Sequence, residues 1–99
     1  KVYANVDTII GLFMYCDNLQ SVKLPDSLTS IGERSFLSCK SLSMIVVSKD
    51  INSIGEEAFY GCSNLKTVYN LSNLLLTIGQ TDNGYVAYYA DNIYDSLSE

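Results

Sequence analysis

The apolar positions of this chain fall into columns. Phe13, Phe36 and Phe59 recur every 23 residues, and so do Cys16, Cys39 and Cys62. Leu19, Leu42 and Leu65 follow in the same phase, and then Val22, Ile45 and Val68. Four columns in one register, with a period in the twenties, mark a stack of repeated coils rather than one mixed core. The segments 19–24 and 42–47 carry apolar residues at their first, fourth and sixth places; 65–70 keeps the first two and ends in Asn70. Alternation over the last four residues has the period of a strand. Each coil therefore predicts one short strand, and stacking predicts a parallel sheet with strands about 4.8 Å apart.

The rest of a coil follows from the residues between strands. Pro25-Asp26-Ser27 reads as a turn, with the proline removing a donor at the strand end. Leu28 and Ile51 are expected to point inward on a second extended stretch ending at Ile31 and Ile54, and Gly32 and Gly55 suit the corner that follows. Glu33-Arg34-Ser35-Phe36 and Glu56-Glu57-Ala58-Phe59 predict short helical turns, with acids near the N-terminus where the peptide dipoles favour them. Gly61 can close the second of these in a left-handed conformation.

The pattern then changes. Cys62 to Ile78 is one residue longer than Cys16 to Ile31, which places an insertion between Asn70 and Thr77. Leu71 to Gly79 still supplies an apolar path into a fourth coil. Thr81-Asp82-Asn83-Gly84 reads as a turn, and Tyr85 to Tyr94 as a helix with Val86, Tyr89, Ala90 and Ile93 on one face. No cysteine of the repeat type follows, so this is the place of a terminal cap. One domain over residues 1–99 results, with coils at 8–30, 31–53 and 54–77 and an atypical coil or cap at 78–99. The chain opens inside a repeat without a polar cap and is read as a segment of a longer protein.

Two stretches carry a family resemblance: Leu24-Pro25-Asp26-Ser27-Leu28-Thr29-Ser30-Ile31-Gly32-Glu33-Arg34-Ser35-Phe36, and Ser53-Ile54-Gly55-Glu56-Glu57-Ala58-Phe59-Tyr60-Gly61-Cys62-Ser63-Asn64-Leu65. They resemble the BspA-like leucine-rich repeats of bacterial and protist surface proteins, as does the tail 84–90. Departures are Ser35 for Ala, Ser38 for Gly before Cys39, and Thr8-Ile9 where Ile-Gly is expected. With the resemblance, the fold expected is an α/β solenoid of right-handed leucine-rich-repeat coils of about 23 residues, with a short parallel β-sheet and short helical turns on the other side. The resemblance implies a cell-surface or secreted binding role, and no catalytic residues.

Charge and chemistry narrow the reading. The net charge is −5 and the six basic residues are scattered, which argues against nucleic acid and anionic membranes. No stretch approaches the roughly 18 apolar residues of a membrane span, so no membrane insertion of this segment is expected. Three cysteines with no close pair make a poor disulfide framework, and the absence of histidine disfavours metal and nucleophile-base sites. They are read as a ladder of buried neutral thiols. The carboxylates Asp26, Glu33, Asp50, Glu56 and Asp82 sit at turns and helix starts, where capping and solvation explain them. No enzyme activity and no cofactor are expected. Asp82-Asn83-Gly84 lacks the pattern of a calcium loop, whereas Asn70-Leu71-Ser72 matches a glycosylation acceptor.

The outward face of the sheet is the candidate site. Residues between the inward ones form two columns, Ser21, Met44, Thr67 and Lys23, Val46, Tyr69. Met44, Val46 and Tyr69 are unusually apolar for a solvated face, as contact surfaces often are. The partner expected is a host or extracellular-matrix protein. Two alternatives stay open: a spacer within a larger surface protein, and glycan binding through the tail cluster Tyr85, Tyr88, Tyr89 and Tyr94, although covering the open end of the core is the favoured reading of these tyrosines. End-to-end self-association is also expected, chiefly through the rim around residues 2–10.

Overall fold

A computed structural model describes residues 8, 9 and 13–97. The strands are short and all parallel. A three-stranded sheet contains β1 (Thr8–Ile9), β3 (Ser30–Ile31) and β5 (Ser53–Ile54), in the order β1-β3-β5. A four-stranded sheet contains β2 (Ser21–Lys23), β4 (Met44–Val47), β6 (Thr67–Asn70) and β7 (Asn92–Tyr94), in the order β2-β4-β6-β7. Each of the first three coils thus places one strand in each sheet, the last adds β7 to the four-stranded sheet alone, and the core lies between the sheets. Pairing is in register with the repeat: Val22 stands opposite Ile45, Ile45 opposite Val68 and Val68 opposite Ile93.

The columns stack as predicted. Phe13 and Phe36 have ring centroids 5.2 Å apart, and Phe36 and Phe59 5.0 Å, each pair tilted by only 6°. That separation is close to the strand spacing of about 4.8 Å, so one rise satisfies both the sheets and the rings. Phe36, Phe59, Leu42, Leu65, Ile45 and Val68 are fully buried. The cysteines do form a ladder. The Cys39 thiol donates to the Phe13 carbonyl at 2.9 Å, and the Cys62 thiol to the Phe36 carbonyl at 3.0 Å. Contact with the neighbouring Cys39 thiol and burial both push Cys62 up, so it stays protonated. Cys16 departs from the expectation, being only half-buried.

The α part of the expected α/β class is not found among the described residues. Among the described residues the one helical element is a 3-10 helix at Asn83–Tyr85. The expected helical turns are irregular, and their hydrogen bonds give the reason. The N–H groups of Ser35, Leu37 and Cys39 bond three residues back within the coil, to Gly32, Arg34 and Phe36. Those of Arg34, Phe36 and Ser38 bond instead to Glu56, Ala58 and Tyr60 of the next coil, at 2.7–3.1 Å. A helix would keep every donor within its own coil. Arg34, Ser38 and Glu57 adopt left-handed φ values of 56–57°, which turn alternate donors toward the neighbour.

Two further expectations shift. Ile9, not Thr8, stands opposite Ile31, so the first coil is one residue shorter between its strand and Phe13 than the coils above it. The helix expected over 85–94 is replaced by the 3-10 helix, a run of turns and β7. Its predicted face is partly right, because Val86 and Ala90 are buried and Ile93 packs against the core. Gly84 permits the close approach. At φ 63°, a Cβ there would lie 2.6 Å from the Gly55 carbonyl oxygen and 2.8 Å from the Ala58 Cβ. The apolar run 74–78 forms no strand; Leu74 and Leu76 pack on the core, while Leu75 is 84% exposed and Ile78 51%. The rim proposed for self-association, 2–10, lies outside the described residues except for the backbone of β1.

Phe36→Ala removes the middle ring of the stack and should cost about 3–5 kcal/mol, read as a lowered urea midpoint. A loss below about 1 kcal/mol would mean that the ring column does not hold the coils together. A thiol reagent should modify Cys16 promptly and reach Cys39 and Cys62 only as the fold opens. Equal labelling rates for all three in the folded chain would contradict the ladder.

Candidate functional site

The face of the four-stranded sheet is built by alternation. Val22, Ile45, Val68 and Ile93 point into the core, so the residues on either side of them point out. The two columns read from sequence are present in register: Ser21, Met44, Thr67 and Lys23, Val46, Tyr69. β7 extends each by one member, Asn92 beside Thr67 and Tyr94 beside Tyr69. Asn92 and Tyr94 were hidden from sequence reasoning because the segment fits a helical period. The signal that could have found them is the trio Asn92-Ile93-Tyr94, which repeats Thr67-Val68-Tyr69 after 25 residues.

Exposure redistributes the chemistry. Val46, expected to be solvated, is 3% exposed. Its neighbours Lys23 and Tyr69 both reach further from the sheet, and a short branched side chain between them is removed from water. Val46 therefore lies beneath the surface of the face rather than exposed on it. Met44, Thr67 and Tyr69 are half-buried, and Ser21 and Lys23 are exposed. Tyr69 packs on Tyr94 with ring centroids 5.4 Å apart and a tilt of 31°. The apolar part of the face is thus Met44 together with this tyrosine pair. Lys23 and Lys66 flank it and form no ion pair among the described residues; the pairs there are Arg34–Glu33, Arg34–Glu57 and Lys49–Asp50. The described residues enclose no pocket, so the candidate site is a face rather than a cleft.

The other candidate residues are placed by their hydrogen bonds. Asn70 is not a free acceptor for a glycan. Its amide donates to the Leu74 carbonyl at 2.9 Å, and its oxygen accepts from the Ser72 N–H at 3.1 Å and hydroxyl at 2.5 Å, holding the loop that enters the fourth coil. The tail tyrosines divide into two groups. Tyr94 belongs to the sheet face. Tyr60, Tyr85, Tyr88 and Tyr89 form a chain of edge-on contacts with centroids 4.9–5.2 Å apart, and Tyr60 and Tyr88 remain 45% and 43% exposed. Tyr89 has a structural task that sequence reasoning missed. The N–H of Tyr15 bonds to the Leu37 carbonyl, and that of Ser38 to the Tyr60 carbonyl. The equivalent N–H of Gly61 finds the Tyr89 hydroxyl at 3.0 Å, a side chain in place of a further coil.

The family model described as BspA type Leucine rich repeat region (6 copies) matches residues 5–82. The chain belongs to this family of leucine-rich-repeat solenoids. No curated protein and no solved structure matches the chain. No helix among the described residues is long and apolar enough to cross a membrane.

Tyr89→Phe leaves the ring and removes the hydroxyl that accepts from Gly61. It should cost about 0.5–1.5 kcal/mol and speed hydrogen exchange at the Gly61 amide. An unchanged Gly61 exchange rate would mean that the hydroxyl does not close the ladder.

Proposed function

We propose that this domain is a non-catalytic binding module of a cell-surface or secreted protein. Its ligand is a host or extracellular-matrix protein, bound on the outward face of the four-stranded sheet. The observation that carries the reading is the Tyr69–Tyr94 pair, with Met44 diagonally across on β4, on a face where the described residues enclose no pocket. Aromatic side chains give large contact area at low entropic cost, and methionine adapts its shape to a partner. Such residues dominate the energy of protein contacts. Ser21 and Thr67 supply hydrogen-bonding groups around them, joined by Asn92. Lys23 and Lys66 act on the rate of encounter more than on affinity. Membership of the BspA-type family supports the surface location.

The test is binding of the purified chain to an array of matrix proteins and glycans, followed by substitution. Tyr69→Ala should weaken a protein hit by about 2 kcal/mol, roughly 30-fold. It should cost about 1 kcal/mol in stability, because the contact with Tyr94 is lost as well. Tyr88→Ala should leave binding unchanged. If Tyr88→Ala abolishes binding and Tyr69→Ala does not, the tyrosine chain at the end of the solenoid is the site. If only glycans bind, or nothing does, the protein-binding reading fails.

A further inference from the structure

The C-terminal end of the solenoid is closed on its turn side and open along one strand. The Tyr89 hydroxyl ends the hydrogen-bond ladder between turns at Gly61. The three-stranded sheet ends at β5. Among the described residues the four-stranded sheet ends at β7, which pairs with β6 on one side. The Asn92 N–H donates to the Lys66 carbonyl at 3.1 Å, so Asn92 directs its backbone groups toward β6. By the alternation of a parallel ladder Tyr94 does the same, and Ile93 between them directs its N–H and C=O to the open edge.

Such an edge is a template for another strand, and proteins usually blunt it with lysine, proline or a bulge. Asn92-Ile93-Tyr94 carries no lysine or proline. Its side chains say what would fit. Ile93 packs against the core yet remains half-buried, so a neighbour beside it should be apolar. Asp91 and Asp95 flank the strand and are exposed. Just before β6, the backbone of Lys66 lies beside Asp91, whose N–H donates to the Lys66 carbonyl at 2.8 Å, so a basic residue is the neighbour of this acid flank within the protein, although the two side chains form no ion pair. A second copy adding its own β7 antiparallel would set these carboxylates against each other, in a chain whose net charge is already −5.

We propose that the open edge of β7 accepts, as an added strand, an extended segment of a partner protein. That segment has an apolar residue beside Ile93 and basic residues about two positions away on either side, next to Asp91 and Asp95. Recognition is through the backbone of the edge, with the carboxylates selecting charge. It does not depend on the sheet face acting as the site proposed above.

The probe is a labelled peptide, Ser-Gly-Lys-Thr-Val-Tyr-Lys-Gly-Ser, which borrows the Lys-Thr-Val-Tyr sequence of residues 66–69. It is added to the 99-residue chain, with anisotropy and amide hydrogen exchange as readouts. Saturable binding is expected, with exchange at the Ile93 amide slowed at least tenfold. N-methylation of the peptide at Thr and Tyr should abolish it. Exchanging both lysines for glutamates should weaken it at least tenfold, and the double variant Asp91→Lys/Asp95→Lys should reverse that preference. Met44→Ala, on β4 and not adjacent to β7, should leave the protection of Ile93 in place, which separates failure of the face from failure of the edge. The proposal is overturned if the peptide leaves the Ile93 amide unprotected, or if N-methylation makes no difference. It is also overturned if Ile93 becomes protected with rising protein concentration and no peptide, because a second copy is then the occupant.

Discussion

Everything in this structure depends on a single rise between coils. Parallel strands must lie about 4.8 Å apart to share hydrogen bonds. The phenylalanine rings stack at 5.0–5.2 Å, nearly parallel, and the thiols of Cys39 and Cys62 reach carbonyls one coil below at 2.9–3.0 Å. Sheet, ring column and thiol ladder therefore ask for one spacing, and the 23-residue repeat delivers it. The turns give up regular helix for the same reason. Arg34, Phe36 and Ser38 direct their donors to the next coil, because an intercoil bond holds two units together and a helical bond holds only one. Left-handed φ at non-glycine residues costs on the order of 1 kcal/mol each, and the ladder offsets it.

A stack built this way must be ended at each side. At the C-terminal end three devices do so. Tyr89 supplies a hydroxyl where a carbonyl would otherwise stand, Gly84 lets the last turn approach Gly55 and Ala58, and Val86, Ala87 and Ala90 complete the core. Only the four-stranded sheet continues, through β7. That continuation makes the candidate face: without β7 the outward columns would end at Thr67 and Tyr69, and Tyr69 would lack its aromatic neighbour.

How much of this was legible in the sequence follows from what each signal reports. The Phe and Cys columns report contacts between equivalent positions, so their period revealed the stack, the core and the outward columns. Burial of an outward residue depends on the length of its neighbours in other coils, which no single strand shows; hence Val46 read as exposed. Glu56-Glu57-Ala58-Phe59 reads as helix by composition, but its hydrogen bonds are decided by the adjacent coil. Tyr85 to Tyr94 satisfies a helical period over four residues, and only alignment with Thr67-Val68-Tyr69 reveals the strand within it. Ser38 for glycine changes little, since it adopts the left-handed φ of 56° that its position requires, as Gly61 does at 82°.

The central claim is that the chain returns to the sheet as a fourth strand, on which both the end of the solenoid and the candidate face rest. The most direct test is a nuclear Overhauser measurement across residues 66–70 and 91–95. Parallel pairing predicts close contacts between the Val68 and Ile93 backbones and between the Tyr69 and Tyr94 rings. Sequential amide–amide contacts running through 85–94, with none to β6, would instead show a helix and contradict the account.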